Sequence, residues 1–168
     1  MASYQIKQYH RLTDEDLAEL YRLGRDCGAL SVTALDFAGF DQNWFWLFAR
    51  RAEVFAAVEG GPGRFVGFFY LTDLLAATAR IHFCLFREGR RRRASIARDV
   101  LGWCFAAFEF QSLTGIVPVI NQGAARFARE CGGRELGLIP GACFVDRLRR
   151  AVGGQQFLFL PDNRSTER

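Results

Sequence analysis

Apolar and polar positions alternate over residues 4 to 10 (YQIKQYH), the period of a half-buried strand. The period then lengthens. Leu17, Leu20, Tyr21 and Leu23 share one helical face, Thr13 and Asp16 form a capping box at its start, and the helix runs to about Cys27. After a loop, Asp41 caps a second short helix over residues 41–51 (DQNWFWLFARR), too apolar to have an exposed side. Two strand patterns, 53–60 and 64–74, flank Gly60-Gly61-Pro62-Gly63 and predict an antiparallel hairpin. RIHFCLF (80–86) follows as a third strand, apolar around His82.

From Ala94 onward Ile96, Val100, Trp103, Cys104, Ala107 and Phe108 recur at helical spacing, and TGIVPVI (114–120) then reads as a strand. Strand, helix and strand of these lengths make a crossover unit, so strands 80–86 and 114–120 are expected to be parallel neighbours. Pro118 cannot donate a ladder hydrogen bond, so the sheet should be open or splayed along one side of this segment. A last helix over 122–131 ends at Gly132-Gly133, with glycine suited to the left-handed cap. Two closing strands, 134–149 and 155–160, are expected to join through Gly153-Gly154. The pattern predicts one α+β domain over residues 1–161, about four helices on a mixed, mostly antiparallel sheet with a central parallel pair. Residues 162–168 read as a disordered tail.

A chain of 168 residues, 50% hydrophobic and 24% charged, can bury a core, which excludes intrinsic disorder and a string of small domains. No apolar stretch reaches the ~18 uncharged residues of a membrane span, and no cleavable leader opens the chain. The expectation is a cytoplasmic protein that begins at or near Met1 and has no membrane partner. The five cysteines are scattered without a CxxC or a Cys/His cluster, which argues against disulfides and against a metal site. Lys7 is the single lysine among 22 basic residues, a skew that reads as nucleotide-composition bias in the source genome. Net charge is only +4, but Arg87 and Arg90 to Arg93 put five guanidinium groups within seven residues.

The arginine run lies between a strand end and a helix start, where free N–H groups and the helix dipole receive phosphate. Arg90, Arg91, Arg92 and Arg93, with Ala94 and Ser95, are therefore candidates for a diphosphate site. A solvated basic loop is the plain alternative. Contact with nucleic-acid phosphates is a third reading, disfavoured because no basic face or interleaved aromatics accompany the run. Trp44, Phe45, Trp46 and Phe48 cannot all face inward from one helix, which leaves one or two for a lid or a homodimer contact.

The order of elements and two motifs resemble the GNAT superfamily of acyl-CoA-dependent N-acetyltransferases. Family members carry Gln or Arg, two free residues, Gly or Ala, one free residue, then Gly or Ala at the loop after the fourth strand. Two registers correspond here, Arg92-Arg93-Ala94-Ser95-Ile96-Ala97, with Ser for the first glycine, and Arg90-Arg91-Arg92-Arg93-Ala94-Ser95. The second motif, Asn, two residues, Ala, two residues and an apolar residue, stands as Asn121, Ala124 and Phe127 before Gly132-Gly133. The stretch GIVPVINQGAARFARECGGRELGLIPGACFVD looks most like a divergent, phage-encoded branch. The likeness covers residues 53 to 160.

The resemblance implies a sheet splayed between its fourth and fifth strands, with the pantetheine arm of acetyl-CoA in the gap. It places backbone groups of Cys84, Leu85 and Phe86 along the arm, the 90–95 loop on the diphosphate, and Asn121 on the arm or the helix start. A small-molecule or protein amine would attack the thioester directly, with the aromatic stretch on the acceptor side. His82 is then the candidate general base, because histidine titrates near neutral pH and sits in the fourth strand; a satisfied core histidine is the alternative. Many family members place a proton-donating tyrosine where Ala128 stands, so water or another side chain serves here, or the chain is a non-catalytic protein that keeps the fold and coenzyme A site.

Overall fold

The computed structural model describes residues 4–28, 30, 41–145 and 148–161. The expected tail, 162–168, lies outside them. The chain begins with β1 (Gln5–Gln8), a 3₁₀ turn at Tyr9–Arg11 and α1 (Asp14–Asp26). The capping box forms, with the Asp16 amide donating to the Thr13 hydroxyl and the Thr13 amide to the Asp16 carboxylate. Next comes α2 (Gln42–Arg51), whose first turn is capped by the Asp41 carboxylate, which accepts from the Trp44 amide at 2.8 Å.

The hairpin of β2 (Val54–Glu59) and β3 (Phe65–Leu75) forms as the glycine cluster predicts, and β4 (Thr78–Leu85) follows. A 3₁₀ turn at Gly89–Arg92 leads into α3 (Arg93–Phe108), β5 (Ser112–Pro118) and α4 (Gln122–Glu130). The closing pair is β6 (Arg134–Val145) and β7 (Arg150–Phe159).

These strands make one seven-stranded sheet in the order β1-β2-β3-β4-β5-β7-β6, parallel only between β4 and β5. Strand alternation divides the buried side chains between its two faces. Ile81 of β4 packs with Ile96, Val100 and Cys104 of α3 and Ala125 and Ala128 of α4. Cys84 and Phe86 pack on the other face with Leu17 and Leu20 of α1, Phe45 and Ala49 of α2, and Phe55 and Phe68. The Phe45, Phe55 and Phe68 rings meet at centroid distances of 5.2–5.9 Å.

One expectation is corrected. Gly153-Gly154 does not join the last two strands; β7 begins at Arg150, and both glycines lie inside it. Their small size, rather than a turn, is what the structure uses: a Cβ at Gly154 would stand 2.5 Å from Ile116 and 3.2 Å from the Cys143 sulfur, and one at Gly153 would stand 2.9 Å from Leu138.

Candidate functional site

The parallel ladder is short. Thr78, Ala79 and Arg80 pair with Ser112, Leu113 and Thr114, and there the pairing of β4 with β5 stops, whereas β5 remains paired to β7 as far as Pro118 and Gly154. From Ile81 onward the edge of β4 that faces β5 has no strand partner among the described residues. The Val119 amide donates to Gly153 on β7. By alternation, position 118 turns its amide position toward the gap, where proline loses nothing.

A cavity of about 200 Å³ fills this fork. Residues 80–83 of β4 and 115–118 of β5 form two walls, while Asn121, Ala124, Phe127, Ala128 and Cys131 close it from α4 and its caps. Ala142 and Cys143 of β6 and Phe157 and Phe159 of β7 complete it.

His82 lines the cavity from the face that carries α1 and α2, opposite α3. Its ring lies parallel to Tyr70 at a centroid distance of 4.3 Å, and its Nε2 is 3.0 Å from the Thr72 hydroxyl oxygen, the tautomer deciding which atom donates. Nδ1 has no hydrogen-bond partner among the described residues. Burial, and secondarily the Arg80 charge, lower the His82 pKa to about 4, so the ring is neutral at pH 7.

At the far end of β4, the four arginines divide into two pairs. Arg93 gives two hydrogen bonds, 2.8 and 2.7 Å, to the Glu130 carboxylate of α4, and Arg90 donates to the Cys27 carbonyl at 3.1 Å. Arg91 and Arg92 are the two whose side chains have no partner among the described residues. They stand in the 3₁₀ turn that leads into α3, just before the amides of Ala94 and Ser95, and the first turn of that helix carries no acidic side chain. Gly89 fixes this turn against β3: a Cβ there would strike the Val66 carbonyl oxygen.

No family model matches the sequence, and no curated protein matches it. Solved structures do match in shape. A spermidine N-acetyltransferase from Vibrio cholerae, in complex with CoA and spermine, superposes with a TM-score of 0.77 at 17% identity, covering 95% of this chain and 96% of that one. An acetyltransferase of the GNAT family from Bacillus anthracis superposes with a TM-score of 0.76 at 12% identity, covering 95% and 96%. The chain has the GNAT fold.

Within that fold, the predicted site residues fall into three groups. His82, Asn121, Ala124 and Phe127 line the cavity together. Asn121 also caps α4, its side-chain oxygen accepting from the Ala124 amide at 3.0 Å, which explains the spacing of the second motif. Phe127 packs edge-on against Phe83 of β4. Cys84, Leu85 and Phe86 lie one step beyond the cavity walls; the Cys84 and Phe86 side chains belong to the α1–α2 core and Leu85 packs on the α3 side. The arginine loop forms the third group, at the C-terminal end of β4.

Of the aromatic stretch, Phe45 is buried, Trp46 and Phe48 are partly buried, and Trp44 is the exposed ring. Sequence reasoning missed Arg80, Cys131 and Cys143 as cavity residues. For Cys131 the signal was available: it falls one helical turn after Ala128 on the same face of α4. Burial pushes its thiol up to about 12, so it stays protonated at neutral pH. Among the described residues, no group of three His, Cys, Asp or Glu side chains converges as metal ligands would, and no helix is long and apolar enough to cross a membrane.

Proposed function

We propose that this chain is an N-acetyltransferase that passes an acetyl group from acetyl-CoA to a primary amine by direct attack on the thioester. The observation that carries the reading is the fork between β4 and β5: a cavity between two parallel strands that part after Arg80 and Thr114, with a helix start beyond the C-terminal end of β4 that carries two guanidinium groups unpartnered among the described residues. The unpaired edge of β4 from Ile81 through Cys84, Leu85 and Phe86 can bond the amide groups of a pantetheine arm. Arg91, Arg92 and the amides of Ala94 and Ser95 can hold the diphosphate.

The amine enters from the α1–α2 face, on which His82 lies. Its nitrogen forms the new bond to the acetyl carbon, the carbon–sulfur bond breaks, and the amine loses a proton. With Nε2–H donating to Thr72, the His82 Nδ1 lone pair receives that proton and passes it to water, since a ring with so low a pKa does not keep it. Space beside Ala128, where a tyrosine side chain would otherwise fill the wall, lets solvent reach the departing thiolate and protonate it.

Ala128 also favours a second reading, a GNAT-like protein that binds coenzyme A without turning it over. Kinship with a phage-type branch, suggested by residues 115–146, is part of the same proposal. Release of the CoA thiol from acetyl-CoA, measured with a panel of primary amines, separates the two. Amine-dependent release supports the transferase; CoA binding with no release on any amine supports the binding protein.

A further inference from the structure

The acceptor side of the fork carries a charge arrangement that narrows the acceptor. Arg80 is the last residue of β4 paired with β5, lines the cavity, and lies on the same strand face as His82, two residues away, a Cα separation of ~7 Å. Its guanidinium touches the Asp73 carboxylate through Nη2 at 3.0 Å, while Nε and Nη1 have no partner among the described residues. Both side chains reach solvent, with relative exposures of 39% and 59%, so a ligand can join or displace Asp73.

The device that presents this pair is a bulge. The β3–β4 register slips between Thr72 and Leu75, and Asp73 sits there at φ 53°, a left-handed conformation that costs a non-glycine residue ~1 kcal/mol or more. Its three successive residues each hold a polar partner. Thr72 meets His82, Asp73 meets Arg80, and the Leu74 amide donates to the Glu53 carboxylate at 3.2 Å. Asp73, the carboxylate that meets Arg80, is itself ion-paired, and Glu53 is not among the residues that line the cavity. Among the described residues the cavity lining holds no carboxylate, so a polycationic acceptor finds no anionic partner within it, whereas an anionic group finds a permanently charged guanidinium whose Nε and Nη1 donors are unpartnered.

The geometry points to an amine that also bears a carboxylate, an amino acid, as the acceptor: Arg80 binds the carboxylate and so sets the amine beside His82 and the thioester. This rests on the transferase reading and differs from the polyamine bound in the Vibrio cholerae structure.

Initial rates of CoA release with free L-amino acids, their carboxamides and spermidine test it. At least one amino acid should exceed its own amide, and spermidine, by about tenfold or more in kcat/KM, the loss expected for one charge-assisted contact. Arg80→Gln should bring that ratio near one while CoA still raises the melting temperature as in the unmutated protein, and Arg80→Lys should recover part of it. Equal rates for acids and amides, preference for spermidine, or a ratio unchanged in Arg80→Gln would each overturn the assignment and leave the transferase standing. If CoA binds and no amine is acetylated, the transferase reading fails by itself. The carboxylate site is then judged by titrating N-acetylglycine against N-acetylglycinamide into the CoA-loaded protein: tighter binding of the acid, lost in Arg80→Gln, supports it, and equal binding overturns it.

Discussion

At the scale of the residue, His82 shows how a single side chain can be found in a sequence and its chemistry still be set by neighbours from another strand. Its place in the fourth strand and the face it shares with Cys84 and Phe86 follow from alternation. Its partners Tyr70 and Thr72 were not legible, because they come from β3 through a register that only the folded hairpin fixes. Nor was its pKa: burial moves the acid limb of any rate profile from the ordinary histidine range to about 4. His82→Asn should lower kcat by ~100-fold while CoA still binds. In the unfolded chain the ring takes up a proton near 6.5, the ordinary histidine value, in the fold only near 4, so the unfolded state binds more protons between these values. His82 therefore favours folding above pH 6.5, and that contribution is lost as pH falls toward 4, by at most about 3 kcal/mol. Urea unfolding at pH 7 and pH 4.5 should show this loss in the unmutated protein and a smaller one in His82→Asn; equal losses would place the titrating group elsewhere. Trp46 offers a second test, since its Nε1–H is buried without a partner among the described residues. Trp46→Phe removes an orphaned donor that costs about 1–3 kcal/mol and gives up part of a ring. Its melting temperature should match or exceed that of the parent, and a marked drop would show that the donor is satisfied.

At the scale of the element, periodicity, caps and turn residues placed the α-helices and all strands but the closing pair to within a few residues, and both capping predictions, Thr13 with Asp16 and Asp41, correspond to hydrogen bonds. The misread element was β7. A glycine pair looks the same in a sequence whether it turns the chain or makes room for Ile116 and Cys143 across the sheet. The arginine run had a similar ambiguity. Composition could not tell Arg93, held by Glu130 across the gap between α3 and α4, from Arg91 and Arg92, which have no such partner. These helices therefore answer substitution differently. Glu130→Gln, on a surface pair, should shift the melting temperature slightly and leave CoA affinity intact, whereas Arg91→Ala with Arg92→Ala should weaken CoA and leave the apo melting temperature nearly unchanged. Isothermal titration beside thermal unfolding distinguishes the two, and loss of CoA affinity in Glu130→Gln alone would mean that Arg93 rather than its neighbours contacts the ligand.

At the scale of the whole molecule, the crossover unit and Pro118 were enough to foresee a parallel pair open at one end, and the sheet order and the fork agree with that expectation. The full lining of the cavity was not legible, since Arg80 enters it where the parallel ladder stops and Cys143 comes from the last hairpin, far apart in the chain. On the proposed reading, a track runs from an acceptor face at Arg80 and His82, through the fork, to the start of α3. The claim that this track is a coenzyme A site is tested most directly by thermal unfolding with CoA. At a hundred times its dissociation constant CoA should stabilise the fold by ~2.7 kcal/mol, roughly 5–10 °C for a domain of this size, with the shift reduced when Arg91 and Arg92 are both alanine. No shift in the unmutated protein at millimolar CoA would contradict the account.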